Sequence, residues 1–174
     1  MLPPGNIIGQ CRYLLHRPQR RLGDIRLVAQ IENCNITGTA VDDFFPDNGV
    51  PSGALVRLPE YNNQMDGWLN NWIGYVDRYG PGLVNGEPDL AVIQALRNSL
   101  HMIWITTKFS VNTYALRGIS SSTLQYVNAK ECIALARDVC EMVIKRYQPP
   151  AINYLSNFTQ LHLTFAGMSF TIEQ

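Results

Sequence analysis

The segment from residue 128 to residue 147 constrains the fold most, because it carries a complete set of helix signals. Asn128 is a good N-cap, and Glu131, three residues later, stands in the capping-box position. Two prolines at 149 and 150 end the pattern. One apolar stripe runs through it, formed by Cys132, Ala136, Val139, Cys140, Val143 and Tyr147. We therefore predict a central helix in which the side chains of this stripe are buried and the cysteines are inert thiols.

Two further segments have helical periodicity. Residues 64–77 place apolar side chains at i, i+3, i+4, i+7, i+8 and i+11, which predicts an amphipathic helix. Its stripe consists of Met65, Trp68, Leu69, Trp72, Ile73 and Val76. We expect the two tryptophans to be core residues, although an exposed anchor is an alternative. A third helix is predicted from Asp89, with Leu90, Ile93, Leu96 and Leu100 facing inward.

Four segments show strand patterns instead. Residues 24–32 alternate apolar and polar side chains, residues 54–58 are a short strand candidate that ends before Pro59, and residues 102–107 are rich in β-branched residues. Residues 161–172 alternate with a phase shift at Gly167, as a β-bulge would produce. The sequence therefore predicts an α+β fold, with a mostly antiparallel sheet packed against two or three helices.

Residues 1–24 are predicted to form an irregular N-terminal arm in front of a single domain, residues 25–174. Prolines at positions 3, 4 and 18 and glycines at positions 5 and 23 interrupt regular structure there. The arm nevertheless holds apolar residues that a short, broken segment cannot bury by itself. We expect five of them to mediate self-association with a second copy: Ile7, Ile8, Tyr13, Leu14 and Leu15.

Charge is unevenly distributed although the net charge is zero. Residues 1–26 hold five arginines and one acid, a balance of +4, whereas residues 27–89 hold two bases and nine acids, a balance of −7. The remaining residues hold seven bases and four acids, a balance of +3. This pattern favours contact of the arm with an anionic surface or with the acidic segment of another copy, unless it arises by chance. The residues expected to make that contact are Arg12, Arg17, Arg20 and Arg21.

The sequence lacks the motifs Gly-x-Ser-x-Gly, His-Glu-x-x-His and Gly-x-x-x-x-Gly-Lys-Ser/Thr, and we expect no enzyme activity and no cofactor. The four cysteines and three histidines lack metal-ligand spacing. An isoelectric point of about 6.8 argues against direct, sequence-specific nucleic-acid binding. The N-terminus lacks the apolar run of a signal peptide, and we expect an intracellular protein with reduced cysteines.

The order of elements resembles the matrix proteins of small negative-strand RNA viruses. The resemblance rests on the arm, the stretch 23–31, the tryptophan-rich helix and the capped stretch 127–134. Residues 124–152 resemble the long helix, and the proline-containing segment after it, of bornavirus-type matrix proteins. The length and the near-neutral charge of the chain resemble those of the matrix proteins of plant rhabdoviruses. The family implies self-association into an oligomer or lattice and condensation of the viral nucleocapsid. It also implies linkage to a membrane surface or an envelope glycoprotein tail, in the virion, the host cytoplasm and on intracellular membranes.

Three other functions stay open. A capsid or coat protein that packages RNA directly would co-purify with RNA. A non-enzymatic, host-directed adaptor would stay monomeric at high concentration. An enzyme of an unrecognised type would show a pocket with convergent polar groups.

Overall fold

The structure, a computed structural model, describes residues 7–17, 19–45, 54–80, 90–116 and 122–146. Helices are the regular elements of this part of the chain, in which no strand is found. They are α1 (Ile7–Tyr13), a 3-10 turn (Leu14–His16), α2 (Leu22–Phe44), α3 (Ala54–Tyr79), α4 (Leu90–Leu116) and α5 (Ser122–Arg146).

Helix α4 occupies the centre of a helical bundle. It packs against α2, α3 and α5, while α2 also packs against α3, and α1 lies on α2. Because α4 has neighbours on several sides, apolar residues occupy most of its circumference rather than one stripe. Its buried positions are Ile93, Leu96, Leu100, Met102, Ile105, Thr106, Thr107, Phe109, Ser110, Val111, Asn112 and Ala115.

The predicted α+β fold is wrong for the described residues, because three of the four predicted strands are helical. Residues 24–32 belong to α2, residues 54–58 to α3, and residues 102–107 to α4. Within residues 24–32 the buried side chains are Ile25, Val28 and Ala29, whereas Leu27 is 48% exposed, so the alternation does not match burial. The fourth predicted strand, residues 161–172, lies outside the described residues.

Thr106 of the predicted strand 102–107, and the later hydroxyl residues Ser110 and Thr113, are accommodated in α4 by hydrogen bonds within the helix. Thr106 Oγ1 donates to the Met102 carbonyl at 2.7 Å, and Ser110 Oγ donates to the Thr106 carbonyl at 2.9 Å. Thr113 Oγ1 donates to the Phe109 carbonyl at 2.8 Å. A buried hydroxyl bound to the preceding helical turn has no need of an external partner, so burial overrides strand propensity.

The predicted irregular arm also requires correction. It contains α1 and the 3-10 turn, and its predicted boundary at residue 24 falls inside α2. The start of α2 is fixed locally, because the Arg21 backbone N–H donates to Asp24 Oδ2 at 2.7 Å. Leu15 is 6% exposed and belongs to the core of its own chain.

Three helix predictions are confirmed in kind. The helix predicted from Asp89 corresponds to α4, in which Ile93, Leu96 and Leu100 are buried, whereas Leu90 is 75% exposed and does not face inward. Residues 64–77 lie within α3, and the described part of the 128–147 segment lies within α5, where Val139 and Val143 are 0% and 7% exposed. The predicted cap at Asn128 is wrong, since α5 begins at Ser122, six residues earlier.

Three hydrophobic clusters stabilise the bundle. The first joins the 3-10 turn to α2, α3 and the start of α4, and it contains Trp68 and Trp72. The second joins α4 to α5 and contains Val139. The third joins α2, α3 and the end of α4 around Phe44 and Tyr61, whose rings meet edge to face at 5.7 Å.

Candidate functional site

A cavity of about 680 Å³ opens between the N-terminal segment, α2 and α3. We call it the aromatic cavity. Its volume is within the range of small-molecule pockets, about 300–1,000 Å³. It is lined by Arg12, Leu15, His16, Glu32, Asn35, Ile36, Gln64, Gly67, Trp68, Asn71, Trp72 and Tyr75.

The aromatic wall is supplied by α3 and fixed by hydrogen bonds to α2. Trp68, Trp72 and Tyr75 follow one another at helical spacing, so they share one face of α3. Trp68 Nε1 donates to the Ala29 carbonyl at 3.0 Å, and Trp72 Nε1 donates to Glu32 Oε2 at 3.1 Å. With both indole N–H groups bound, the rings are held in place and the wall is formed before any ligand arrives.

A charged pair lies at the edge of this wall. Arg12 Nε donates to Glu32 Oε1 at 2.5 Å. The two side chains differ in environment, since that of Glu32 is 15% exposed and that of Arg12 is 62% exposed. The hydrogen bond and the charge of Glu32 raise the pKa of the Arg12 guanidinium above its ordinary value. The cavity thus combines apolar walls with a largely buried carboxylate.

A second cavity, of about 380 Å³, lies between α3, α4 and α5, and we call it the polar cavity. Asp66 accepts hydrogen bonds there from Lys108 Nζ at 2.8 and 3.0 Å and from Trp104 Nε1 at 2.8 Å. Asn112 Nδ2 donates to Asn62 Oδ1 at 2.9 Å across the same interface. These contacts bind the helices to one another, which gives the polar cavity a structural role.

Three of the five predicted self-association residues have described side chains, and these three differ widely in exposure. Leu15 is buried, Leu14 is partly buried against the first cluster, and Tyr13 is 65% exposed. The side chains of Ile7 and Ile8 lie outside the described part of the chain. Leu15 lines the aromatic cavity, a role for which the sequence had no signal.

Three of the four predicted anionic-contact arginines have separate side-chain partners. Arg12 pairs with Glu32, and the Arg17 guanidinium lies 5.9 Å from the centre of the Tyr13 ring. Arg20 Nη1 donates to the Leu15 carbonyl at 3.1 Å. Arg21 lies at the start of α2. Among these, only Arg12 lines the aromatic cavity, so the structure does not gather the four into one site.

The alternating pattern of residues 24–32 places Glu32 on the polar face of a predicted strand, so the sequence does not indicate Glu32 as a site residue. Once residues 22–44 are seen as a helix, Glu32 lies four residues after Val28 and one turn before Ile36, on the side that meets α3. The two cavity tryptophans were correctly predicted to be buried, at 5% and 6% exposure.

The cysteines have the environment of structural thiols. Burial raises the pKa of Cys132 to about 11 and also raises that of Cys140. A raised pKa keeps the thiol protonated and therefore a poor nucleophile near neutral pH. Within the described residues, no group of three or more His, Cys, Asp and Glu side chains could hold a metal ion. None of the described helices is long and apolar enough to cross a membrane.

Comparison with known proteins gives no relative from which to transfer a function. No protein-family model matches the chain, and no similar curated protein or solved structure is found.

Proposed function

We propose that this chain is a non-enzymatic helical binding domain whose aromatic cavity holds a small organic molecule with a planar apolar body. The observation that carries the proposal is the preformed wall of Trp68, Trp72 and Tyr75, with both indoles fixed by hydrogen bonds. Tyr75 is partly exposed and offers apolar contact area to a flat ligand, while the two fixed tryptophans, 5% and 6% exposed, support it without a large cost of reorganisation. The amides of Asn35, Gln64 and Asn71 supply hydrogen-bonding groups that orient a ligand.

Gly67 supplies a direct test of this function. It lines the cavity, and a Cβ atom added there would meet no heavy atom within 4 Å, so a larger side chain fills open space. We expect the neutral dye Nile red to bind the natural chain, and the Gly67→Leu variant to bind it at least tenfold more weakly, since leucine occupies part of the cavity. Fluorescence titration of the dye measures both affinities.

Gly74→Leu is the matched control, because Gly74 lies in the same helix with equally open surroundings and does not line the cavity. Both substitutions remove a helical glycine and should stabilise α3 by up to about 1 kcal/mol, so neither loses binding by unfolding. Equal dye affinities in the two variants would contradict the proposed binding function.

Assembly as a viral matrix protein is a second proposal, and the exposed ring of Tyr13 favours the self-association that it requires. Nucleocapsid and membrane partners belong to the same proposal. The stretch 23–31, which was expected to be a strand in the element order that suggested it, lies within α2 and is helical. The tryptophan-rich α3 and the α5 segment are the parts of that order which are helices in the structure.

If Tyr13 mediates self-association, Tyr13→Glu should shift the protein from oligomer to monomer, because a carboxylate would replace an apolar contact. Size-exclusion chromatography with light scattering gives the mass. Tyr126→Glu is the control, since Tyr126 is similarly exposed, at 61%, on α5. A mass that is the same for Tyr13→Glu and the natural chain would rule out this contact.

A further inference from the structure

Glu32 is an unusual feature for an apolar binding cavity, because its carboxylate is charged and largely buried. With 15% of its side chain exposed, it depends on nearby donors to offset the loss of hydration. Trp72 Nε1 donates to one carboxylate oxygen and Arg12 Nε to the other. Trp72 is a neutral donor, so Arg12 is the cation that balances the charge.

Arg12 is poorly placed to be a permanent partner. Its side chain is 62% exposed, and it extends from α1, a helix of seven residues. The Arg12 guanidinium itself loses little when it moves from the carboxylate into water, because most of its side chain is already exposed. Glu32, in contrast, needs a cation in any state in which it remains charged, so a second cation can take the place of Arg12 at low cost.

The walls beside Glu32 suit such a cation. Trp72 and Tyr75 have ring centres 5.5 Å apart and both line the cavity. Aromatic faces attract organic ammonium ions, and the attraction is stronger where water is excluded. Apolar walls, aromatic rings and a carboxylate without a permanent counter-ion together define the chemistry of a ligand.

We propose that the aromatic cavity binds organic ammonium ions with a planar apolar body, and that Arg12 occupies the Glu32 carboxylate until such a ligand displaces it. This inference rests on the binding function proposed above and specifies its ligand class. Arg12 therefore acts as an internal competitor that sets the affinity, and Glu32 is the residue that selects the charge of the ligand.

Three ligands of nearly equal shape test the charge selection in calorimetric titrations of the full chain: 2-(1-naphthyl)ethylammonium, the corresponding alcohol, and 3-(1-naphthyl)propionate. We expect the ammonium ion to bind roughly tenfold more tightly than the alcohol, which is typical of a charge-assisted hydrogen bond in a partly buried site. The carboxylate should bind most weakly, because Glu32 repels it.

Variants separate the two roles. Glu32→Gln should remove the preference for the ammonium ion while it retains an acceptor for Trp72. Arg12→Gln should increase ammonium affinity several-fold, because no internal cation competes. Arg17→Gln is the control, since Arg17 lies on the same segment and does not line the cavity. It should change neither the affinity for the ammonium ion nor the affinity for the alcohol.

The outcomes distinguish this inference from the binding function on which it rests. The charge selection would be overturned if the ammonium ion and the alcohol bound equally well, or if the carboxylate bound most tightly. In that case the proposed binding function would still stand if Nile red bound. Failure of Nile red and of all three naphthyl ligands to bind would overturn both. An unchanged ammonium affinity in Arg12→Gln would overturn the competition by Arg12.

Discussion

Replacing Val139 by aspartate is expected to unfold the bundle. Val139 has no exposed surface and belongs to the second cluster, together with Phe109 of α4 and Val143 of α5. A carboxylate buried among apolar side chains without a cation costs several kcal/mol, whereas domains of this size are stable by only about 5–15 kcal/mol. Urea unfolding followed by far-ultraviolet circular dichroism measures the loss.

Ile144→Asp is the control for this prediction, since Ile144 lies on the same helix and is 79% exposed. Its carboxylate remains in water, so we expect a loss of at most about 1 kcal/mol, caused by a negative charge near the helix C-terminus. If both variants unfold at the same urea concentration, Val139 does not occupy the core position described.

The removal of Asp66 is expected to cost much more than the removal of Lys108, although the two form one ion pair. Only 13% of the Lys108 side chain is exposed, against 42% for Asp66. Asp66→Leu leaves a mostly buried ammonium group without its carboxylate, and it also removes the acceptor of Trp104 Nε1. We expect a loss of about 3 kcal/mol.

Lys108→Leu should cost about 1 kcal/mol, because water and the Trp104 N–H continue to solvate the half-exposed carboxylate. The double variant, Asp66→Leu with Lys108→Leu, should recover most of the loss seen in Asp66→Leu, since it no longer buries an unpaired charge. Urea unfolding of the three variants measures the loss in free energy of unfolding. Equal losses in Asp66→Leu and Lys108→Leu would contradict the larger effect expected for Asp66.

The helices that could be predicted from the sequence are those with one clear apolar stripe. In α3 and α5 one side faces the core and the other faces water, so periodicity and burial agree. The first part of α4, residues 90–100, keeps such a stripe and was predicted as a helix. After residue 100, neighbours on several sides remove that contrast, and the β-branched run 102–107 dominates the local pattern. Local propensity cannot indicate that α4 lies in the middle of a bundle, because its burial depends on distant segments.

Helix α2 was missed for a different reason. Its buried positions include Asn33, which is 2% exposed and accepts a hydrogen bond from Thr107 Oγ1 at 2.7 Å. A polar residue in the buried stripe interrupts the apolar periodicity, and the exposed Leu27 adds an apolar residue on the wrong side. For the same reason the sequence did not indicate the candidate site, since Glu32 contacts Trp72 only if this segment is helical.

Trp104 packs against all three hydrophobic clusters. A change in the packing of any one cluster therefore also changes the position of the Trp104 ring, which packs against the other two clusters. We expect the described helices to melt in one sharp thermal transition rather than in steps, because no cluster can loosen while its neighbours keep their full contacts. A ligand in the aromatic cavity would then raise the melting temperature of α5 together with that of α2 and α3, although α5 does not line that cavity.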